Sequence, residues 1–157
     1  MKNENYELFK TADIQTILDT LGAELIKRNE SPIWREKVVP FSDAILSVLV
    51  PLRDANMLFD PQGVAVDELT PELFFEWSDF VSLKTLAFTL QKSNEANELL
   101  RTKLDADVCK TYRALNLDKL GAYLSKNRVN LENEALDFPI STYNLHQGVS
   151  NVIKSLL

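Results

Sequence analysis

The segment from Trp34 to Asp54 constrains the fold more than any other part of the chain. Its sequence is WREKVVPFSDAILSVLVPLRD, and from Val38 to Leu52 its only charged residue is Asp43. The run is too short for a membrane span, which needs about 20 apolar residues. It also lacks the alternation of a half-buried strand. Its apolar residues instead recur every three or four positions, as on one face of a helix, at Val38, Phe41, Ile45, Val48, Leu49 and Leu52.

Apolar residues also occupy the opposite face of this segment, at Leu46 and Val50. A helix that is apolar on nearly all sides is surrounded by other elements. We therefore predict a central apolar helix near 35–52, which kinks or ends near Pro51 because an interior proline removes a backbone hydrogen bond. The predicted core residues of this helix are Trp34, Phe41, Ile45, Val48 and Leu49.

Helical spacing continues through most of the remaining chain. A helix that Thr11 or Asp13 can cap precedes the central one, and Thr70 followed by Pro71 is typical of a helix start. The polar segment 125–140 is predicted to be an irregular loop. We therefore predict a single all-α domain over 1–157, a compact bundle of about six or seven helices.

Composition excludes several classes of function. The chain has a net charge of −6, which disfavours general DNA binding because that requires cationic side chains. One cysteine and one histidine form neither a disulfide framework nor a Cys/His zinc site. We expect a reducing, cytoplasmic location. We expect no membrane contact, since no run of about 18 apolar residues exists.

No motif for catalysis is present in the sequence. The four glycines are isolated, so they form no loop that cradles a phosphate beside a lysine. We therefore predict no catalytic residue, cofactor or metal, and we interpret His146 and Cys109 as packed side chains. A small hydrolase or metal-dependent enzyme that uses carboxylates is a further hypothesis, supported only by scattered acidic residues.

The candidate partner-binding residues lie in the short helix predicted after Thr70. Either neighbouring helices cover Phe74, Phe75 and Trp77, or these rings form an exposed patch for a protein partner. Glu72 and Glu76 would select a basic partner and repel DNA phosphates. If DNA is bound elsewhere, the expected contacts are Lys126 and Arg128.

Four segments resemble one protein family, and the first of them, DIQTILDTLGAEL, is similar to the helix that precedes the apolar one there. The segment from Trp34 to Asp54 resembles a part of the type IV secretion coupling ATPases in which tryptophan and a basic residue open an apolar helix that ends in Leu-Arg-Asp. The residues that match are Trp34, Arg35, Leu52, Arg53 and Asp54. The segment LDKLGAYLSKNRVN, with Tyr123 and Leu124, and the segment YNLHQGVSNVI are similar to later elements. In the latter, the order His146, Gln147, Gly148 departs from the family's glutamine, histidine, glycine.

The resemblance implies an all-α domain inserted in the motor of a membrane-anchored, hexameric bacterial ATPase for conjugation, often carried on plasmids. The nucleotide-binding loop and the membrane helices lie elsewhere in such proteins. The chain would be an excised domain or a stand-alone relative that recognises a relaxase, accessory or effector protein at the cytoplasmic face of the inner membrane. The alternative is a free-standing helical adaptor or chaperone that binds one protein partner in an apolar groove.

Overall fold

The computed structural model describes residues 2–87, 117–129 and 138–157, with side chains from residue 5 onward. This part of the chain is helical, which confirms the predicted all-α fold; apart from helices it holds an isolated bridge between Phe59 and Ala65, and no strand. The helices are α1 (Lys2–Thr11), α2 (Ile14–Lys27), α3 (Pro32–Asp54), α4 (Pro71–Trp77), α5 (described over 80–87), α6 (Asp118–Lys126) and α7 (Ile140–Leu156).

Two sequence predictions fall wholly or partly outside the described residues. Cys109, with the helical pattern around it, lies in 88–116. Of the predicted irregular loop, residues 130–137 are outside the description, whereas α6 extends to Lys126 and α7 begins at Ile140. None of the described helices combines the length and the hydrophobicity that crossing a bilayer requires.

The central helix is α3, which packs against α2, α4, α6 and α7. Phe41, Ile45 and Val48 are fully buried, as their spacing predicts, and so is Leu46 on the opposite face. Trp34 is only half-buried, and its ring lies against Gly148 of α7. The predicted core of α3 is therefore confirmed, with Trp34 at its edge.

α3 ends three residues after Pro51, close to the position that this proline predicts. Pro40 and Pro51 both lie inside the helix, which continues to Asp54. Arg53, in the last turn, forms an ion pair with Asp54 at 3.0 Å. The same guanidinium donates hydrogen bonds to the backbone carbonyls of Phe9 (3.0 Å) and Ala12 (2.7 Å), and so fixes the C-terminal end of α1 to α3.

The helix α1 was not predicted, because its sequence is mostly polar. Its main anchor is Phe9, which is fully buried and whose ring centroid lies 5.2 Å from that of Phe74 in α4. Asp13 then begins α2, and its carboxylate accepts a hydrogen bond from the Thr16 backbone N–H at 2.8 Å. Of the two residues predicted to cap α2, Asp13 is therefore the one that does so.

Three of the helices in the described part of the chain end with the same backbone arrangement. The residues Asn29, Asn56 and Arg128 follow α2, α3 and α6 with φ of 55°, 57° and 65°. In each case the next N–H bonds to the carbonyl five residues earlier, as from Glu30 to Leu25. These are Schellman ends, in which the residue after the helix has a left-handed backbone conformation. Asparagine adopts this conformation more readily than arginine does.

Candidate functional site

The structure divides the three aromatic residues of α4 between the two predicted alternatives, since two are covered by neighbours and one is only half-buried. The helix starts as expected, since the Thr70 hydroxyl accepts a hydrogen bond from the Leu73 N–H at 3.1 Å and Pro71 occupies the first turn. Phe74 is fully buried against Phe9, and Trp77 is only 3% exposed. The face that α4 turns to the core therefore takes two of the three rings, and these two are not available to a partner.

Trp77 makes two contacts with Phe59, one through its indole N–H and one through its ring. Its indole N–H donates to the Phe59 carbonyl at 3.1 Å, and the Phe59 ring meets it edge-on with centroids 5.8 Å apart. A buried tryptophan whose N–H has a partner is a core residue. It ties the connection between α3 and α4 to the body of the bundle.

The remaining predicted residues, Glu72, Phe75 and Glu76, lie at a surface cleft. The cleft has a volume of about 540 Å³. We call it the α4 cleft, and its other walls come from α1, from the start of α4 and from the C-terminal end of the chain. The residues that complete its lining are Asn5, Tyr6, Pro71, Lys154 and Leu157.

Hydrogen bonding fixes one of the two carboxylates in the α4 cleft. The Tyr6 hydroxyl donates to the Glu72 carboxylate, which joins α1 to α4. This hydrogen bond to Glu72 is the main reason that the pKa of Tyr6 is raised. Glu76 is exposed, and no other residue of the described chain forms an ion pair or a hydrogen bond with its carboxylate. One acidic group is thus oriented and the other is available.

Phe75 lines the cleft together with these two acids and a lysine. Phe75 is half-buried, so one side packs against the core and the other borders the cleft. The Lys154 ammonium lies 5.7 Å from the ring centroid, within the range of a cation–π contact. The α4 cleft therefore combines an aromatic surface, two carboxylates and one internal cation. This composition suits recognition of a protein segment.

Sequence reasoning did not identify Tyr6, Lys154 or Leu157 as site residues. They belong to α1 and to the end of the chain, distant in sequence from α4. No motif links them, and only the packing of α1 and α7 beside α4 brings them together. Phe75 was identified from its local sequence, whereas its neighbours in the cleft are identified only from the tertiary structure.

The predicted DNA contacts, Lys126 and Arg128, are exposed at the C-terminal end of α6. They do not line the α4 cleft. A cation at this position also has a structural explanation, because it interacts favourably with the negative end of the helix dipole. The structure thus brings these two residues near each other but not near the aromatic site.

His146 is a packed side chain, as expected, and it makes two hydrogen bonds. It is 1% exposed, its ring stacks on Phe80 with centroids 4.1 Å apart, and its Nδ1 and Nε2 lie 2.7 Å from the Thr142 carbonyl and the Tyr123 hydroxyl. Since the carbonyl only accepts, Nδ1–H donates to it and Nε2 accepts from the hydroxyl of Tyr123. Burial lowers the pKa of His146 and raises that of Tyr123, so both are neutral at physiological pH.

Within residues 2–87, 117–129 and 138–157, no group of three or more His, Cys, Asp or Glu side chains is arranged to hold a metal ion. Comparison with protein-family models, with curated proteins and with solved structures yields no match for the chain.

Proposed function

We propose that the chain is a substrate-recognition domain of a type IV secretion coupling protein, which binds a relaxase, accessory or effector protein for transfer. The observation that carries this proposal is the α4 cleft, which the half-buried Phe75 lines together with the exposed Glu72 and Glu76. An aromatic ring supplies contact area, and carboxylates at the rim select a basic protein surface.

The coupling-protein context rests on the sequence resemblance alone, and residues that carry the resemblance make the following contacts in the structure. The Trp34 ring lies against Gly148, and the Tyr123 hydroxyl bonds to His146. Arg53 joins the end of α3 to α1. Residues of the resemblance therefore have structural roles, as expected for a shared all-α scaffold whose binding surface lies elsewhere.

The same proposal places the domain at the cytoplasmic face of the inner membrane, within a hexamer. It disfavours DNA in the α4 cleft, because Glu72 and Glu76 repel phosphate groups. Lys126 and Arg128 remain the predicted DNA contacts. It assigns no catalysis to this chain, so calorimetry with ATP should show no binding, and micromolar affinity would contradict it.

The test of the docking face is Phe75→Ser in the full-length native protein. We expect transfer to fall about tenfold or more, as for loss of an interface anchor, while circular dichroism stays unchanged. The matched control is Val64→Ser, which alters a 60% exposed apolar residue outside the cleft. Phe74→Ser is unsuitable because Phe74 is core. Undiminished transfer with a folded Phe75→Ser protein would exclude the α4 cleft as the docking face.

A free-standing adaptor that uses the same cleft is the second candidate, because the α4 cleft itself requires no motor. The two differ in the gene: a coupling protein needs a nucleotide-binding loop and membrane helices beyond residues 1–157. An adaptor needs neither. Sequencing the complete reading frame distinguishes them.

A further inference from the structure

Among the residues that the structure describes, Lys154 is the one cation that lines the α4 cleft. It reaches the cleft from the last turn of α7, and its ammonium lies 5.7 Å from the centre of the Phe75 ring. It forms no ion pair with Glu72, Glu76 or any other residue of the described chain. The side chain is exposed, so water competes for its charge and the contact is readily broken.

The Phe75 ring thus already makes a cation–π contact, with Lys154. Its π face attracts an ammonium or a guanidinium, and Glu72 and Glu76, one helical turn apart, add negative charge on either side of it in the sequence. A guanidinium would fit this arrangement better than Lys154 does. It stacks flat on an aromatic ring and donates hydrogen bonds to a carboxylate at the same time.

We infer that Lys154 occupies the place of a partner's arginine or lysine side chain, and that a partner segment binds by displacing Lys154 from Phe75. This inference rests on the proposed function, because it names what the docking face recognises. The expected occupant is a protein segment that presents one basic side chain beside an apolar one. The apolar side chain would contact the wall formed by Tyr6, Pro71 and Leu157.

Charge complementarity favours this occupant over others. An acidic segment or a nucleic acid would meet two carboxylates and a single lysine. A second copy of this chain, with a net charge of −6, would bring mostly acidic surface to an acidic cleft. A basic segment instead gains both carboxylates and the ring, and releases Lys154 to water.

The first experiment is selection of binding peptides from a random library displayed on phage, against the full chain and against its Phe75→Ser variant. Peptides that bind the parent and not the variant should carry arginine or lysine with a neighbouring apolar residue. If Phe75-dependent peptides lack basic residues, the docking face stands and this inference is wrong. If no selected peptide depends on Phe75, both the inference and the proposed docking face are wrong.

The second experiment measures the affinity of one selected basic peptide by fluorescence anisotropy. Lys154→Ala should tighten binding about two- to fivefold, since an exposed competing charge is removed. Lys126→Ala makes the same change in net charge away from the cleft and should have no comparable effect. Equal effects of the two would mean that only net charge matters, and weaker binding by Lys154→Ala would mean that the lysine contacts the peptide; either result overturns the displacement.

The acidic side of the cleft has its own control. The double variant Glu72→Gln with Glu76→Gln should bind the same peptide more weakly, and the affinity that remains should depend less on salt concentration. The control variant Glu36→Gln with Asp19→Asn removes the same amount of charge from exposed positions on α3 and α2. This control should leave the affinity for the peptide unchanged. Phe75-dependent self-association of the chain in sedimentation experiments, with no peptide binding, would show that a second copy fills the cleft and would overturn the inference.

Discussion

Gly148 and Gly121 are both helical, but their surroundings predict opposite effects of the same substitution. A Cβ on Gly148 would lie 2.6 Å from the Trp34 ring, whereas one on Gly121 would have no atom within 4 Å. The indole ring is rigid, so it would have to shift as a whole to make room for the added methyl group. We expect Gly148→Ala to lower the free energy of unfolding by about 1–3 kcal/mol, the usual cost of overpacking.

The control for this prediction is Gly121→Ala, which should raise the free energy of unfolding by about 0.5–1 kcal/mol because alanine favours the helix. Both values come from urea denaturation followed by circular dichroism. An equal stabilisation by the two substitutions would show that Trp34 does not contact Gly148 in solution.

Arg128 is a residue whose backbone conformation does not suit its side chain. It adopts φ of 65° at the end of α6, where Asn29 and Asn56 occupy the equivalent positions after α2 and α3. We expect Arg128→Gly to raise the free energy of unfolding by up to about 1 kcal/mol, since left-handed backbone costs an L-residue about 1–2 kcal/mol.

The comparison for Arg128→Gly is Lys126→Gly, at the last residue of α6, which should lower stability by up to about 0.5 kcal/mol, less than a glycine in the middle of a helix. Thermal denaturation of both variants is sufficient to see the difference in sign. A loss of stability in Arg128→Gly would mean that the arginine side chain makes a stabilising contact that outweighs its backbone strain.

At the scale of elements, α3 is the most deeply buried of the described helices and gives the clearest prediction of a change in stability. Ile45 is fully buried in the middle of this helix. We expect Ile45→Ala to reduce the free energy of unfolding by about 2–5 kcal/mol, which combines lost burial with the cavity left behind. The denaturation midpoint should shift accordingly.

The control on the same helix is Glu36→Ala, at an exposed position, which should change stability by less than about 0.5 kcal/mol. If the midpoint of Ile45→Ala equals that of the parent, α3 is not the centre of the fold.

The elements differ in how well the sequence predicts them. α3 and α4 were predictable because their signals are local: helical spacing in one, and Thr70 followed by Pro71 in the other. α1 was not, because its stability comes from Phe9 packing on Phe74 and from the Arg53 guanidinium, which lies more than forty residues away in the sequence. Tertiary contacts of this kind leave no periodic pattern.

The candidate site shows the same division. The aromatic and acidic residues of α4 were identified from their sequence, but which rings face the core depends on the position of α1. Phe74 faces Phe9, and Phe75 therefore faces the cleft. Lys154 could not be associated with Phe75 until α7 was placed beside α4.

At the scale of the whole molecule, His146 connects stability to pH. Its ring contacts Phe41 of α3, Phe80 of α5 and Tyr123 of α6, so protonation would affect four helices at once. Burial, and to a smaller extent the charge of Lys37, lower its pKa from the ordinary value of 6.5. The unfolded chain therefore takes up the proton at a higher pH than the folded chain does.

Because the pKa of the folded state is the lower one, this contribution to stability is fully present above pH 6.5 and is lost as the pH falls below that value. Urea denaturation should give a lower midpoint at about pH 5.5 than at about pH 7.5, a range in which unperturbed carboxylates do not titrate. As His146 is the single histidine, its NMR titration is unambiguous. A pKa at or above 6.5 in the folded protein would contradict the prediction.

The contrast between Trp34 and Trp77 makes the protein its own spectroscopic probe. These are its two tryptophans, one half-buried against Gly148 and the other almost fully enclosed. An indole near water emits at longer wavelength than one in an apolar environment. Trp34 should therefore emit at longer wavelength than Trp77. In a Trp77→Phe variant the remaining fluorescence comes from Trp34 alone. The wavelength of its emission maximum then reports, without an added label, whether α3 and α7 are in contact.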